Sequence, residues 1–290
     1  MKKIRPPWLK ARLRIGNEFQ AIERIIEKLS LNTICREAFC PNISECFNHQ
    51  TVTFLILGDR CTRECSFCGV KKGNPLLPDP CEPKRIAQAV RDMGLAHTVI
   101  TSVTRDDLPD GGAAAFARTI REIKMLKSES VVEVLIPDLN GSKESLFAIL
   151  NASPQILGHN LETAPRLYPL VRSGSDYKRS LKVLEMSKKF FPSVATKSSL
   201  ILGLGEKKDE VLEVMDDLRQ VNCDLLTLGQ YLPPGSGNYP VKRYYSPEEF
   251  HDLFHEGIKR GFRWVESDPL VRSSYHAQKQ WKQYLHSLCG

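Results

Sequence analysis

The stretch Cys61-Thr-Arg-Glu-Cys65-Ser-Phe-Cys68 directly follows an apolar, strand-like run from Thr51 to Leu57. Its cysteines are spaced C-x3-C-x2-C. Three thiolates can hold three irons of a cubane iron–sulfur cluster, and the remaining iron is then free to bind a substrate or cofactor. A structural zinc site normally has four ligands in paired C-x2-C spacings, and this stretch lacks that pattern. The spacing therefore predicts an iron–sulfur cluster with one open iron.

A second cysteine triad lies just upstream, in Cys35-Arg-Glu-Ala-Phe-Cys40-Pro-Asn-Ile-Ser-Glu-Cys46, with the spacing C-x4-C-x5-C. It also offers three thiolates and no obvious fourth ligand. Two incomplete triads this close together indicate two clusters rather than one badly spaced site. The alternative interpretation is a group of unrelated buried or zinc-binding cysteines.

Composition limits the class of protein. The chain has 290 residues, of which 41% are apolar and 26% charged, and a single α/β barrel commonly has this size. No apolar run approaches the length of a membrane span. The net charge of +7 is scattered without an aromatic-interleaved basic tract, which predicts no nucleic-acid partner. No apolar signal segment opens the chain, and six of its nine cysteines fall into the triads, so we expect a reducing compartment, the cytoplasm.

The rest of the sequence alternates between strand and helix patterns. Apolar residues at helical spacing predict a first helix over Ile15–Ser30. Strands are predicted at Thr51–Leu57, Thr98–Ser102, Val131–Ile136, Gln155–His159, Ala195–Leu202 and Leu225–Gln230. Helices are predicted at Pro83–Met93, Gly112–Lys127, Lys143–Asn151, Asp176–Phe190, Lys207–Gln220 and Pro247–Arg260. Because six β/α units fall short of the usual eight, we expect a partial, open (β/α)6 barrel with a parallel sheet.

In such a barrel the functional residues gather at the C-terminal ends of the strands. The loop Cys61–Cys68 follows the first predicted strand, and polar blocks follow the others. These blocks are Thr101–Asp107, Pro137–Asp138, Asn160–Glu162, Gly203–Glu206 and Gln230–Tyr231. We therefore expect all of them on one rim of the barrel.

The C-x3-C-x2-C stretch resembles the signature of the radical S-adenosylmethionine (SAM) enzymes. With the upstream triad included, the chain resembles the lipoyl synthases along nearly its whole length. The further blocks that carry this resemblance are Arg105–Gly112, His159–Thr163, Thr196–Ser198, Gly203–Glu206, Gly229–Leu232 and Arg272–Ala277. The chain departs from the family pattern at Thr104, Asn238 and Asp268, none of which is a predicted cluster ligand.

The resemblance implies a radical reaction. In radical SAM enzymes the open iron binds the amino and carboxylate groups of SAM, and one electron cleaves SAM into methionine and a 5′-deoxyadenosyl radical. The lipoyl synthases use two SAM molecules to insert sulfur at C6 and C8 of an octanoyl chain on a carrier lysine, and they consume an auxiliary 4Fe-4S cluster as the sulfur source. An unactivated methylene has no acidic proton, so the cofactor must supply the reactivity and the protein the positioning.

The resemblance also implies the ligands of the two clusters. Those of the SAM cluster are Cys61, Cys65 and Cys68. Those of the auxiliary cluster are Cys35, Cys40, Cys46 and Ser274, the second serine of Arg272-Ser-Ser-Tyr275. A serine alkoxide is a harder ligand for iron than a thiolate, which suits a cluster that is dismantled in use. Arg272 would stabilise the alkoxide or guide its release.

For SAM itself, the resemblance implies contacts outside the cysteine loop. Backbone groups near Gly111 and Gly112 would approach SAM closely, because glycine has no side chain to obstruct them. Glu162 would accept hydrogen bonds from the ribose hydroxyls, and Arg179 or Lys197 would pair with the carboxylate. The alternatives are a helix N-terminal cap for Glu162 and an ordinary surface position for Arg179.

The resemblance implies partners and a division of the chain. The substrates would be octanoylated lipoyl carrier domains, those of 2-oxoacid dehydrogenase acyltransferase subunits and the glycine cleavage H protein. An electron donor such as ferredoxin or flavodoxin and an iron–sulfur carrier for cluster repair would also be needed, but no nucleic acid or membrane. Residues 1–50 would form an N-terminal extension with the auxiliary cysteines, 51–262 the partial barrel, and 263–290 a C-terminal extension with Ser274, the extensions covering the open side.

Other functions remain open. Another auxiliary-cluster radical SAM enzyme, such as a methylthiotransferase or a biotin synthase-like sulfur inserter, would share Cys61–Cys68. It would not be expected to share both the upstream triad and Ser274. A non-catalytic metal-binding or nucleic-acid-binding protein would instead hold zinc at these cysteines. A related protein that keeps the clusters but has lost turnover is a further alternative.

Overall fold

An open, mostly parallel β-sheet forms the centre of the computed structural model, which describes residues 5–10 and 16–289. The strands are β1 (Asn32–Thr33), β2 (Thr53–Ile56), β3 (Arg60–Cys61), β4 (Lys71–Lys72), β5 (His97–Ser102), β6 (Val131–Leu135), β7 (Ile156–Gly158), β8 (Ala195–Leu202), β9 (Leu225–Gln230) and β10 (Trp264–Ser267). The main sheet has the order β1-β2-β5-β6-β7-β8-β9-β10, in which β1 is antiparallel to β2 and all other neighbours are parallel. Strands β3 and β4 form a separate parallel pair.

Helices follow most of the parallel strands. They are α1 (Asn17–Lys28), α2 (Ile34–Glu37), α3 (Ile43–Asn48), α4 (Glu82–Asp92), α5 (Ala113–Leu126), α6 (Lys143–Leu150), α7 (Tyr168–Val171), α8 (Tyr177–Phe190), α9 (Lys208–Gln220), α10 (Pro247–Lys259) and α11 (Ala277–Cys289). Short 3-10 turns lie at Pro7–Leu9, Leu139–Gly141 and Pro165–Leu167. Side-chain caps fix where helices begin: Ser142 accepts the Ser145 N–H at 3.1 Å before α6, and Asp176 accepts the Arg179 N–H at 2.6 Å before α8.

The sheet is buried on both faces. All four residues of β2 and all six of β9 are buried, including the polar Thr53, Thr227 and Gln230, so these strands do not alternate between buried and exposed positions. The side chains of Phe54, Ile100 and Leu226 are among those that form the main core. Within the part of the chain that the structure describes, no helix is both long and apolar enough to cross a bilayer.

The predicted architecture is confirmed. Six predicted strands and the six helices after them all form, each within two residues of its predicted bounds. The structure adds one parallel strand, β10, which pairs with β9 and lies beyond the predicted barrel boundary at residue 262. Its sequence gives little signal, because it is four residues long and only Val265 is buried. The first helix begins at Asn17 rather than at Ile15, which lies outside the described residues.

The two ends of the chain meet at one edge of the structure. Asn42 Nδ2 donates to the Leu270 carbonyl at 2.6 Å, and the Tyr275 hydroxyl donates to Glu45 Oε1 at 2.8 Å. The C-terminal segment also passes directly over β9 at Gly229, where a Cβ atom would lie 1.9 Å from the Val271 carbonyl oxygen. Only glycine permits this approach. The upstream triad and the Arg272–Tyr275 motif are thereby held side by side.

Candidate functional site

A cavity of about 450 Å³ lies at the C-terminal ends of the parallel strands. Its wall includes residues from the ends of β5 and β6, from the segment after β7, and from β8 and β9. The cysteines of both triads line it: Cys35, Cys40, Cys46, Cys61, Cys65 and Cys68. Arg272 and Ser274 line the same cavity. The structure thus brings together the residues that the sequence assigns to two separate clusters.

Backbone amides surround the first cysteine of the C-x3-C-x2-C loop. Cys61 Sγ accepts the Thr104 N–H at 3.3 Å and the Arg63 N–H at 3.5 Å. The Cys61 carbonyl accepts the Gly73 N–H at 3.0 Å. These hydrogen bonds hold the Cys61 sulfur in place, and iron binds cysteine through that atom.

Arg63 fixes the same loop to two strand ends. Its guanidinium donates to both carboxylate oxygens of Asp106, at 2.7 and 2.9 Å, and to both of Asp138, at 3.0 and 2.7 Å. Asn140 and Ser175 accept further hydrogen bonds from it at 3.0 and 3.2 Å. A planar guanidinium can satisfy two carboxylates in this way, whereas a lysine ammonium cannot. The cysteine loop is therefore held rigidly against the ends of β5 and β6.

The thiols of the two triads are free; that of Cys35 is buried, and the other five belong to partly buried residues. Burial raises the pKa of Cys35 and of Cys68 to about 12 and that of Cys65 to about 11. Burial also raises the pKa of Cys40 and of Cys46. Without metal these groups are neutral thiols, and iron binding would draw out their protons and supply the missing counter-charge. The donor set therefore fits iron–sulfur clusters.

The cysteines of a triad do not surround one position that a single metal ion could occupy. Among the described residues, no three His, Cys, Asp or Glu side chains lie close enough together to share one metal ion. A structural zinc site would need four donors within about 2.3 Å of one ion. A cubane cluster instead takes each thiolate on a different iron.

Glu162 is the predicted SAM-contacting residue that lines the cavity. It is not a helix cap: its φ is 66°, and its backbone pairs with β8 through the Ser199 carbonyl at 2.9 Å and the Ile201 N–H at 2.8 Å. Asn160 Nδ2 donates to its carboxylate at 3.0 Å. Burial raises the pKa of Glu162, although the Arg172 guanidinium opposes this. A hydrogen-bond donor that enters the cavity would therefore stabilise the charged Glu162 carboxylate.

Arg172 is a cavity residue that the sequence did not single out. It follows α7 in a segment without a motif, so no local pattern marks it. Its Nη1 donates to the Tyr168 hydroxyl at 2.7 Å, and it is a neighbouring positive charge for both Cys65 and Glu162. It provides a positive charge beside the C-x3-C-x2-C cysteines.

Gly111 and Gly112 are not among the described residues that line the cavity. Their φ values are 61° and 90°, and a Cβ at Gly112 would lie 2.3 Å from Leu57 Cδ1. Asp110 accepts the Gly112 N–H at 2.9 Å just before α5. A left-handed turn packed on Leu57 accounts for these glycines, and their close approach to SAM stays a prediction.

Arg179 and Lys197 are also absent from the lining of the cavity, as far as the described residues extend. Arg179 Nε donates to Asp138 at 2.8 Å. Lys197 Nζ donates to Glu133 at 2.8 Å, and the other Glu133 oxygen lies 3.0 Å from His97 Nε2. Both cations have carboxylate partners in this structure, and the pairing of one of them with the SAM carboxylate stays a prediction.

Two departures from the family pattern touch the cysteine loop. Asn238 Nδ2 donates to the Ser66 carbonyl at 3.1 Å and to the Cys68 carbonyl at 3.0 Å. Thr104 supplies the N–H that reaches Cys61 Sγ. Both positions are therefore part of the support of the loop, even though neither is a predicted ligand.

Comparison with known proteins connects this geometry to a family. The sequence model of the Radical SAM superfamily matches residues 55–218, a segment that contains the C-x3-C-x2-C loop. The lipoyl synthase of Caldicellulosiruptor saccharolyticus is 51% identical over 282 residues, which cover 97% of this chain and 99% of that protein. The lipoyl synthase of Aquifex aeolicus is 54% identical over 256 residues, which cover 88% of this chain and 93% of that protein.

Solved structures match the fold. Methylornithine synthase aligns with a TM-score of 0.55 at 14% identity, over 82% of this chain and 73% of its own. HydG, a maturase of the FeFe hydrogenase, aligns with a TM-score of 0.56 at 14% identity, over 85% of this chain and 62% of its own. At this identity the likeness concerns the fold alone.

Proposed function

The chain belongs to the lipoyl synthases of the radical SAM superfamily, and we propose on that premise that it inserts sulfur at C6 and C8 of an octanoyl chain carried on a lysine. It is a radical SAM enzyme that inserts sulfur, and it uses SAM and 4Fe-4S clusters, one of them auxiliary. Its substrate is a lipoyl-domain protein.

One observation carries the proposal: both cysteine triads and Ser274 line a single cavity. When bound, the SAM cluster and SAM supply a 5′-deoxyadenosyl radical. The ligands of both predicted clusters face one cavity, so an octanoyl chain that enters it could reach both triads. A shared cavity is what a reaction needs when hydrogen abstraction and sulfur transfer act on one carbon.

We propose the following division of roles. Cys61, Cys65 and Cys68 hold the SAM cluster, while Arg63 keeps their loop in place. Cys35, Cys40, Cys46 and Ser274 hold the auxiliary cluster, the sulfur substrate. Arg272 would stabilise the Ser274 alkoxide, and this proposal is supported by the position of both residues in the lining of the same cavity.

For SAM we propose two contacts. Glu162 accepts hydrogen bonds from the ribose hydroxyls, which would relieve the cost of its buried carboxylate. Arg172, rather than Arg179 or Lys197, faces the SAM carboxylate, because its charge lies beside Cys65 and lines the cavity. Gly111 and Gly112 act through the turn before α5 rather than through SAM.

We propose the finer partners on the strength of the family. They are lipoyl domains of 2-oxoacid dehydrogenase acyltransferase subunits and the glycine cleavage H protein, a ferredoxin or flavodoxin, and an iron–sulfur carrier. The free thiols of both triads suit the reducing cytoplasm. Residues 1–50 and 263–290 serve as extensions that complete the auxiliary site beside the barrel of residues 51–262.

The test is an anaerobic reaction of protein reconstituted with iron and sulfide, using SAM, a reductant and an octanoyl-lysyl peptide. Mass spectrometry follows 5′-deoxyadenosine and the peptide. We expect stepwise gain of one sulfur and then a second, limited to a single lipoyl group per enzyme without cluster repair. SAM cleavage without sulfur transfer would remove the octanoyl substrate from the proposal, and bound zinc without iron would overturn the whole assignment.

A matched variant tests the serine. Ser274→Cys replaces a hard alkoxide by a softer thiolate that binds iron more firmly. We expect this variant to retain its auxiliary iron and to cleave SAM, but to transfer less sulfur than the wild type. Equal transfer of sulfur by the two proteins would argue against a releasable serine ligand.

A further inference from the structure

Phe39 has an unfavourable backbone conformation. It follows α2 with a φ of 52°, in the left-handed region. Its N–H donates to the Arg36 carbonyl at 3.1 Å, and the Cys40 N–H donates to the Cys35 carbonyl at 3.0 Å. These hydrogen bonds form the usual C-terminal cap of a helix, in which the left-handed position is normally glycine. A phenylalanine is disfavoured there because its Cβ crowds the following carbonyl group.

Packing of the Phe39 side chain does not offset the energetic cost of this backbone conformation. The Phe39 residue is 70% exposed, so its ring contributes little to the core. Of the large exposed apolar side chains in the described residues, Phe39 alone also lines the cavity. A strained backbone together with an exposed aromatic ring lowers stability without a benefit to the free enzyme. Such a residue points to a function outside the folded chain itself.

Phe39 lies where three loops meet at the rim of the cavity. A Cβ at Gly69, the residue after the last cysteine of the C-x3-C-x2-C loop, would lie 3.3 Å from Ala38 Cα. The same Cβ would lie 2.9 Å from Pro234 Cβ, which belongs to the loop after β9. Ala38 precedes Phe39, so the ring is attached at the junction of the α2 loop, the cysteine loop and the loop after β9.

We propose that Phe39 is a docking contact for the lipoyl carrier domain, an inference that rests on the proposed function. The octanoyl chain is attached to a lysine of a folded domain, and that domain must cover the rim of the cavity while its lysine arm reaches inside. The interior of the cavity would hold the acyl chain, whereas Phe39 lines the cavity with 70% of its surface exposed and is therefore available to the protein that delivers the chain. Aromatic side chains are enriched among the residues that dominate protein interfaces.

The experiment separates the carrier domain from the acyl group. Phe39→Gly removes the ring and suits the left-handed backbone, and Phe39→Asn does the same with a side chain that tolerates that region. Met125→Ala is the matched control, because Met125 is 71% exposed on α5 and is not among the described residues that line the cavity. Each iron-loaded protein is titrated with an octanoylated carrier domain and, separately, with an octanoyl-lysyl peptide. Iron and sulfide contents are compared first, because Phe39 adjoins Cys40.

We expect both Phe39 variants to bind the carrier domain about tenfold more weakly, the usual loss for an important interface residue. Their affinity for the peptide and their cluster content should equal those of the wild type and of Met125→Ala. Phe39→Gly should also unfold at a higher temperature, because the strain is relieved. This combination of greater stability and weaker docking distinguishes an interface residue from a structural one.

Three results would overturn the proposal. Unchanged affinity for the domain would remove Phe39 from the interface. Equal weakening of domain and peptide would place the ring on the acyl chain or the cluster. Loss of a concentration-dependent dimer with unchanged domain affinity would identify a second copy of the chain as the occupant. Affinity is measured without turnover, so the result stands even when the wild type inserts no sulfur, which would refute the proposed function separately.

Discussion

Asp138→Asn tests whether a buried ion-pair network holds the cysteine loop. The Asp138 side chain is inaccessible to solvent and accepts hydrogen bonds from Arg63 at 2.7 and 3.0 Å and from Arg179 at 2.8 Å. Burial opposes its ionisation, but the hydrogen bonds and charge of Arg63, with the charge of Arg179, bring the pKa of Asp138 down to about 2. Asparagine keeps the shape of the side chain and removes the charge that both guanidinium groups need.

The expected cost follows from what the two arginines lose. Removal of one partner from a buried ion pair costs about 3–5 kcal/mol. Arg63 keeps Asp106, so the lower end applies, and the free energy of unfolding should fall by about 3 kcal/mol. For a chain of this size such a loss lowers the melting temperature by about 5 °C. Because Arg63 belongs to the cysteine loop, the variant should also lose iron from the SAM cluster faster in the presence of a chelator.

Urea unfolding of the metal-free protein measures the free energy of unfolding. Loss of the cluster absorbance after a chelator is added measures the rate of iron release. Glu210→Gln is the matched control: it breaks a bidentate pair with the exposed Arg166, at 2.8 and 2.9 Å, and should cost about 0–1 kcal/mol. The stabilising effect of Asp138 is complete above the carboxyl pKa of the unfolded chain, about 3.9, and is lost as the pH falls towards 2. If Asp138→Asn is no more destabilising than Glu210→Gln, the network does not support the loop.

Three further changes have defined outcomes. Burial and the nearby Arg172 charge lower the pKa of His159 to about 4, below its value of about 6.5 in the unfolded chain. The free energy of unfolding should therefore fall as the pH drops from 6.5 to 4. His159→Gln should reduce this dependence on pH, as measured by urea unfolding at each pH. Gly229→Ala should displace the C-terminal segment, because its Cβ would lie 1.9 Å from the Val271 carbonyl oxygen, and elemental analysis should then show loss of auxiliary iron while the SAM cluster remains. Asn238→Ala removes two hydrogen bonds to the cysteine loop and should cost about 1–2 kcal/mol in thermal unfolding, and an unchanged melting temperature would contradict that support.

The main strands were predictable because burial leaves short clusters of apolar residues in them, as in Phe54–Ile56 of β2 and at Leu225 and Leu226 of β9. The same rule failed for β10, whose four residues contain only one buried position. The cysteine ligands could also be predicted from the sequence, since ligand spacing is a local property of the sequence. Ser274 was identified by resemblance, because nothing in the sequence between it and Cys46 indicates that the two lie beside one cavity.

The environment of the charged residues near the site could not be predicted from the sequence, for one physical reason. Lys197 looks available in the sequence, yet its partner Glu133 is 64 positions away on β6, two strands across the sheet. Arg179 is likewise paired with a distant carboxylate, that of Asp138. Arg172 has no motif around it, and its place beside Cys65 depends on the packing of α7. A cation is free or engaged according to tertiary contacts, which no local pattern reveals.

The meeting of the two chain ends sets an order for biosynthesis. The three cysteines of the C-x3-C-x2-C loop emerge from the ribosome within one short stretch. The auxiliary site is different, because the contact between Glu45 and Tyr275 that closes it joins residues 230 positions apart. A nascent chain can complete that site only after its last segment has been released and has docked against α3. Loading of the auxiliary cluster is therefore a late step, and a chain that loses its C-terminal segment retains the SAM-cluster cysteines but has no closed auxiliary site.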